Sequence, residues 1–247
     1  MSPLPPASGA AAVRVLYVDA DVLVVDKPPG VPSVPARTPA DPPAVVALLR
    51  EVYGPLEAAH RLDRDTSGLL VLSRSTAARV ALGRAFESRT VSKRYEAVVE
   101  GVPATSSGEI HLPLAADPDR PPRHRVDPIA GRIAVTRWRL LEHGDAADGP
   151  RSWLELEPLT GRSHQLRVHL AWLGMPIVGD RLYGLDDRLC VHTGARPAAE
   201  RLALHAAGLI FPHPADGRPI FIESPSGFRV NGFRAEAAAA LLRSTSA

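Results

Sequence analysis

Residues 60–68 (HRLDRDTSG) hold five titratable side chains and run directly into the apolar segment 69–72. Charge beside a buried strand costs free energy unless it is paired or used in chemistry, so this junction constrains the fold. Thr66, Ser67 and Gly68 have turn composition, and glycine adopts a positive φ easily. Two interpretations are open, namely a charged surface turn ahead of a strand or the carboxylates of an active site.

Alternation along an extended chain predicts which of these side chains share a face. Arg61, Asp63 and Asp65 would lie on one side, and Leu62 would turn the other way into the core. This arrangement would place an arginine and two carboxylates together beside the buried strand.

Composition restricts the class of protein. A chain of 247 residues, 45% hydrophobic and 23% charged, suits an ordinary globular protein of one large domain or two small ones. No apolar run has the length of a membrane span, and no signal pattern opens the sequence. Cys190 is the only cysteine, which excludes an intrachain disulfide and cysteine-based metal sites. We therefore expect a cytoplasmic protein with no membrane partner.

The basic residues are almost all arginine. The net charge is only +2, yet Lys27 and Lys93 are the only lysines among 29 basic residues. Arginine suits bidentate contacts to phosphates and bases, although GC-biased coding would also enrich it. Aromatic residues make up 5% of the chain, which argues against a broad stacking platform for single strands.

Periodicity predicts many short strands and a few helices. Strands are predicted at 13–18, 22–26, 69–73, 92–100, 109–114, 133–141, 153–159, 202–210 and 219–223, and helices at 44–53, 76–88, 164–173 and from about 235. Loops are predicted at 115–131 and 143–150. This order favours an α+β fold with a mainly antiparallel or mixed sheet, as one domain over 13–247 behind a disordered tail at 1–12.

A second informative stretch is 160–169 (TGRSHQLRVH). On a helix three leucines form one apolar stripe and Arg167 lies at its flank: Leu166, Leu170 and Leu173. A partly covered cation needs a carboxylate partner, and Asp63 is the candidate. The alternative is an arginine at the stripe edge that extends into solvent.

Metal, cofactor and nucleophile signatures are missing from the sequence. His164 and His169 are five residues apart, which does not match the i, i+4 spacing of two metal ligands on a helix. No nucleophile elbow, phosphate loop or dinucleotide fingerprint is present, and the kinase-like residues 60–63 lack every accompanying kinase motif. We therefore predict no metal and no cofactor.

A third cluster is basic and lies in and after a Pro-rich loop. It consists of Arg120, Arg123, His124, Arg125, Arg132, Arg137 and Arg139, among which Asp127 supplies the only negative charge. Such a cluster would suit a phosphate backbone, whereas the alternative is a solvated loop.

Together these stretches closely resemble the RluA-type family of RNA pseudouridine synthases. Residues 60–68 and 160–169 match its two main motifs, and the likeness covers roughly residues 13–228 in order. Supporting segments are 23–30, 93–95, 179–184 and 204–206. Residues 161–167 and the loop at 119–121 look most like members that act on both 23S rRNA and a tRNA anticodon stem-loop. Asp26 departs from the asparagine of many members.

The resemblance implies a role for each matched residue. Asp63 would be the catalytic aspartate, Arg167 its partner, and Tyr95 the residue that stacks on the target base. Arg61 would fill the gap left when that base leaves the RNA stack, since extrusion costs free energy. Further RNA contacts are expected at His60, Arg120, Arg123, Arg125 and Arg162.

The resemblance also implies the fold and the reaction. The fold would be a long, mainly antiparallel mixed sheet with flanking helices and a central cleft, without the N-terminal S4 domain of many members. The enzyme would break the N1–ribose bond of uridine, rotate the uracil and rejoin it through C5, which needs no cofactor. Asp63 could attack C1′, attack C6 or remove the ribose 2′ proton. We expect a monomer whose partner is RNA; the alternatives are a silent RNA-binding protein and a uracil-releasing glycosylase.

Overall fold

The computed structural model describes residues 13–35, 42–146, 149–184 and 201–228. The predicted tail at 1–12, the predicted helix from about 235 and Cys190 lie outside these ranges. In chain order the elements are β1 (Arg14–Val18), β2 (Val22–Lys27), α1 (Val45–Tyr53), β3 (Glu57–Ala58), β4 (Ser67–Ser73), α2 (Thr76–Glu87), β5 (Ser92–Glu100), β6 (Ser107–His111), β7 (Leu114–Ala116), β8 (His124–Val126), β9 (Val135–Ala146), β10 (Gly149–Pro158), α3 (Gln165–Trp172), β11 (Leu204–Pro212) and β12 (Pro219–Glu223).

One ten-stranded sheet dominates the molecule. Its main path runs β1-β2-β4-β11-β5-β10-β9-β6, with β12 paired to β11 and β3 paired to β4, while β7 and β8 form a separate ribbon. Among the described strands only the β4–β11 pairing is parallel. The predicted α+β class with a long, mainly antiparallel mixed sheet is confirmed.

Two large cores flank the middle of this sheet. The first contains all of the leucines and the valine of β4, and Leu49 of α1 and Leu82 of α2 pack into it. The seven residues of β4 are all buried, as a continuous apolar strand requires, because such a strand is covered on both faces. The second core includes Leu154 of β10 and Leu166 of α3. Tyr95 packs against both cores, so β5 carries this ring to the boundary between them.

Local signals placed several boundaries correctly. Strand β5 coincides with the predicted segment, and Ser75 caps α2 by accepting a hydrogen bond from the backbone N–H of Ala78 at 3.1 Å. A cap and a period of two are local features, so they do not depend on distant chain segments.

Two predicted loops are wrong. The loop at 143–150 is part of a long hairpin, in which β9 reaches Ala146 and β10 begins at Gly149, with Ser152 paired to His143. The loop at 115–131 contains β7 and β8, and the single strand predicted at 109–114 is two strands. Glycine, proline and aspartate suggested breaks there, but pairing across the hairpins outweighs that local preference.

Candidate active site

The chain turns two residues earlier than the sequence predicted. The turn is at Arg64 and Asp65, and the N–H of Thr66 donates to the carbonyl of Asp63 at 3.2 Å. Ser67 and Gly68 instead begin β4. Gly68 has a φ of +107°, and a Cβ there would stand 2.3 Å from the carbonyl oxygen of Ala206 in β11. Glycine is therefore required at this point because the backbone of β11 approaches it too closely for a side chain.

The turn changes which charged residues share a face. Leu62 is buried as predicted, and Arg61 and Asp63 both line a cleft of about 1340 Å³. Asp65 is exposed and does not line this cleft, so its predicted place beside Asp63 is wrong. Strict alternation ends where the chain turns.

Buried Lys27 donates hydrogen bonds that hold this turn in place. Its Nζ donates to the carbonyls of Pro28 at 3.0 Å, Val31 at 2.8 Å and Arg64 at 2.8 Å. The N–H of Gly30 donates to the same Arg64 carbonyl at 2.9 Å. Burial lowers the pKa of Lys27 to about 8, against the opposing charges of nearby aspartates. The fixed carbonyl of Arg64 therefore holds the backbone directly after Asp63.

Arg167 is clamped between two carboxylates. Its Nη1 donates to Oδ2 of Asp63 at 3.2 Å, and its Nε and Nη2 donate to the two oxygens of Asp180 at 2.7 Å each. Arg167 is 4% exposed, so the alternative of an arginine extending into solvent is wrong. Burial lowers the pKa of Arg167, but the bonds and charge of Asp180 and the charge of Asp63 outweigh this and raise it. The guanidinium is thus a fixed cation beside the half-buried Asp63.

Asp180 was not singled out by residue-level reasoning. Its side chain is fully buried, and Oδ1 also accepts the backbone N–H groups of Leu182 at 2.8 Å and Tyr183 at 3.1 Å. The only sequence signal was the family-like segment 179–184, which contains it. Asp180 orients Arg167 with two parallel hydrogen bonds, and this fork geometry fixes the third contact to Asp63.

His164 is a second residue that the sequence reasoning missed as part of the site. It precedes α3 with a φ of 55°, and its Nε2 lies 3.9 Å from Oδ2 of Asp63. Its Nδ1 lies 2.6 Å from the hydroxyl of Tyr183, which accepts the N–H of His124 at 2.8 Å. Burial lowers the pKa of His164, which favours the neutral ring. Tyr183 also lies 5.1 Å from the Arg167 guanidinium, so these residues form one packed group around Asp63.

Tyr95 lines the same cleft from β5. Burial, and secondarily the charge of Asp63, raises the pKa of its hydroxyl above the ordinary value, so Tyr95 stays neutral. Its half-buried ring therefore offers the cleft an uncharged aromatic surface.

His60 lines the cleft, but its ring also has a structural contact. Its Nε2 accepts the backbone N–H of Val71 at 3.1 Å, and its ring lies 4.8 Å from that of Phe86. Burial, with a further effect of the charge on Lys93, lowers the pKa of His60 to about 3. The ring is therefore neutral near pH 7 and helps to hold the motif against β4.

The predicted arginines separate into two groups. Arg162 lines the cleft, whereas Arg120, Arg123 and Arg125 are not among its lining residues. Arg120 pairs with the buried Asp117 at 2.8 Å, and Arg125 lies 3.4 to 3.7 Å from three aspartates: Asp117, Asp119 and Asp127. Asp127 is the only acidic residue within this stretch of sequence, but the fold also brings Asp117 and Asp119 to these arginines.

Across the part of the chain that the structure describes, no group of three or more His, Cys, Asp or Glu side chains could hold a metal ion. No helix in the described ranges is both long enough and apolar enough to cross a membrane. The site itself consists of one carboxylate held by a buried arginine, with an aromatic ring and further cations in the same cleft.

Known proteins are similar to this chain in sequence and architecture. Residues 21–172 match the family described as RNA pseudouridylate synthase. Over 214 residues the chain is 39% identical to the Dual-specificity RNA pseudouridine synthase RluA of Escherichia coli (strain K12), and 37% identical to the protein of that name in Haemophilus influenzae. Each alignment covers 87% of this chain and 93% of the relative.

Solved structures give the same result. Human RNA Pseudouridylate Synthase Domain Containing 1 matches with a TM-score of 0.74 at 29% identity, covering 97% of this chain and 98% of the other. Human RNA Pseudouridylate Synthase Domain Containing 4 matches with a TM-score of 0.67 at 25% identity, over 86% and 88% of the two chains.

Proposed function

The chain belongs to the RNA pseudouridylate synthase family, and we propose that its isomerisation of uridine depends on Asp63 as the catalytic carboxylate. The protein is an RNA pseudouridine synthase, an isomerase that acts on RNA. The observation that carries the assignment of Asp63 is its contact with Arg167 at 3.2 Å inside the cleft. Each chemical route uses a carboxylate, and Arg167 places a fixed positive charge directly against this one.

The reaction redistributes bonds without net redox change. The N1–C1′ bond breaks, the uracil rotates, and a C5–C1′ bond forms; C5 loses its proton and N1 gains one. Asp63 begins this sequence by attacking C1′, attacking C6 or removing the ribose 2′ proton. Tyr95 stacks on the base with its neutral ring, which lies on the same cleft as Asp63. Arg167 and Asp180 hold Asp63 in place throughout.

Arg61 is suited to occupy the RNA stack. It is exposed, it lines the cleft two residues before Asp63, and no carboxylate of the described residues lies within 4 Å of it. An arginine plane that replaces the extruded base would offset part of the unstacking cost.

We propose 23S rRNA, a tRNA anticodon stem-loop or both as the substrate, acted on by a monomer in the cytoplasm. The relatives named dual-specificity RNA pseudouridine synthases support a broad choice of RNA. The motif likeness at 161–167 and 119–121 points the same way. His60, Arg120, Arg123, Arg125 and Arg162 remain proposed RNA contacts, and Arg162 has the added support of lining the cleft.

Tritium release tests the chemistry. With RNA labelled at uracil C5, the purified protein should release label to water while the base stays attached. Free labelled uracil would indicate a glycosylase, and no release from any RNA would indicate a silent binder. Mapping of pseudouridine in 23S rRNA and tRNA from a deletion strain should then reveal the missing positions, and an unchanged map in both RNAs would contradict the proposed substrates.

A further inference from the structure

Four cations lie together on the cleft and come from three parts of the chain, namely the segment 89–93, Arg132 and Arg162. Arg89 follows α2, Lys93 lies in β5, Arg132 precedes β9, and Arg162 lies between β10 and α3. All four line the cleft. The sequence motifs indicate Arg132 and Arg162, and the family-like segment 93–95 contains Lys93, but no local pattern relates Arg89 to them.

Two of these cations donate to a backbone carbonyl that lies within two residues of another cation of the group. Nζ of Lys93 donates to the carbonyl of Thr160 at 3.4 Å. Nε of Arg162 donates to the carbonyl of Ile133 at 3.1 Å, next to Arg132 in sequence. Lys93 and Arg162 therefore each use one donor to fix their position, and their remaining N–H groups are available to a ligand.

The charges of the four residues act on one another. Burial lowers the pKa of Lys93, and the charge of Arg89 lowers it further. Burial also lowers the pKa of Arg162, with added effects from Arg132 and Arg89. Like charges that lower one another's pKa are unfavourable together unless an anion is bound among them.

No protein carboxylate neutralises this group within the described residues. None of the four cations has an aspartate or glutamate oxygen within 4.0 Å there. By contrast, four other arginines of the described chain each have one: Arg120, Arg137, Arg139 and Arg167. Glu87 and Glu157 also line the cleft, and Glu157 lies 3.8 Å from Arg137 instead. The cluster is thus a concentration of positive charge whose counterion comes from outside the described protein.

The backbone at Arg89 adds an independent observation. Arg89 lies just beyond α2 with a φ of +60°, and its N–H donates to the carbonyl of Phe86 in the last turn of that helix. Helices commonly end with a left-handed residue that is usually glycine, because a Cβ is disfavoured there. An arginine at this position is less favourable for the backbone than glycine, but it places a guanidinium on the cleft. Strained backbone of this kind is typical of functional sites.

We propose that Arg89, Lys93, Arg132 and Arg162 form a phosphate-binding site that holds the RNA backbone beside the target uridine. The proposal rests on the proposed function, because it assumes that structured RNA enters this cleft. Lys93 and Tyr95 share a face of β5 and are two residues apart, which corresponds to about 7 Å. The bound phosphate therefore belongs to the nucleotide whose base stacks on Tyr95 or to its immediate neighbour.

Binding of a fluorescent tRNA anticodon stem-loop to the full chain, followed by anisotropy across about 50 to 200 mM salt, tests this site. Arg89→Gly and Arg162→Ala should each weaken binding on the order of tenfold and reduce the salt slope by about one. Arg84→Ala is the control, because Arg84 is an exposed arginine of α2 that does not line the cleft. It should change neither quantity.

Thermal unfolding separates loss of binding from loss of folding. Arg89→Gly relieves the left-handed strain, so its unfolding midpoint should equal or exceed that of the wild type. A lower midpoint together with weaker binding would assign Arg89 to the fold and overturn its place in the site.

A single neutral methylphosphonate linkage identifies the phosphate. Placed beside the target uridine, it should weaken wild-type binding about as much as Arg162→Ala does, and it should have no further effect in that variant. Equal additional losses at every linkage, or variants with wild-type affinity and slope, would overturn the site. If tritium release persisted in those cases, the isomerase assignment would still stand. A wild type that bound neither the tRNA stem-loop nor a 23S rRNA stem-loop would overturn both the site and the proposed substrates.

Discussion

Arg167 and Asp63 are 104 residues apart in sequence, and their side chains meet at 3.2 Å. Arg167 reaches this contact from the first turn of α3, while Asp63 precedes the turn that leads into β4. Asp180 fixes the other side of the guanidinium with two bonds of 2.7 Å. The fold therefore presents one carboxylate to the cleft on a support of buried charge.

Asp63→Asn should abolish isomerisation and leave RNA binding intact. The amide keeps the shape of the side chain but cannot supply the ionised carboxylate. Tritium release and anisotropy measure the two properties separately. Asp65→Asn is the matched control, because Asp65 is exposed and outside the cleft, and it should retain near wild-type turnover. Substantial turnover by Asp63→Asn would contradict the assignment.

Asp180→Asn should reduce both stability and turnover. The substitution removes the charge that offsets buried Arg167 on the side away from Asp63, and breaking a buried ion pair costs about 3 kcal/mol. Chemical denaturation measures the free energy of unfolding, and tritium release measures the rate for the folded fraction. Equal stability of variant and wild type would show that Asp63 alone suffices to hold Arg167.

Arg61→Ala should affect structured RNA more than short single strands. A stem-loop must lose a stacked base before the reaction, whereas a minimal single strand has little stacking to lose. The ratio of kcat/KM on the two substrates measures this effect, with each substrate serving as a control for the other. Equal losses on both would argue against a stack-filling arginine.

Acid should destabilise the protein partly through His60. Burial lowers its pKa to about 3 in the fold, whereas the unfolded value is about 6.5, so the unfolded state binds more protons between these values. The contribution is complete above about pH 6.5 and is lost as the pH falls toward 3. By pH 5 the loss should be about 1 to 2 kcal/mol. His60→Gln should show a shallower decline in unfolding free energy from pH 7 to 5, and an identical slope would contradict the role of His60.

Gly68→Ala should be strongly destabilising. A Cβ would stand 2.3 Å from the carbonyl oxygen of Ala206, and φ is +107°, so the β4–β11 junction must separate. We expect a loss of about 3 kcal/mol or more, or failure to fold. Gly83→Ala is the matched control, because a Cβ at this position of α2 meets nothing within 4 Å. This substitution should raise the free energy of unfolding by about 0.5 to 1 kcal/mol. Similar melting temperatures for the two variants would refute this.

Much of the site could be predicted from the sequence because its motifs are short and continuous. Residues 60–68 and 160–169 indicated Asp63 and Arg167 as partners, and the structure places them in contact. Asp180 and His164 were missed as part of the site because their importance lies in what they touch. Arg89 was also missed, and Lys93 was indicated only by the family-like segment 93–95, because the charge around each depends on distant residues.

The sequence by itself determined the strand β5, the cap at Ser75 and the burial of Leu62, because alternation and capping act over a few residues. Only the tertiary structure decided the turn at Arg64, the long β9–β10 hairpin and the choice of Asp180 to hold Arg167. Hairpin pairing and burial depend on contacts between residues that are far apart in sequence, and a local sequence pattern does not indicate such contacts. Whether a charge is buried, paired or left for RNA depends on which distant segments the sheet brings together.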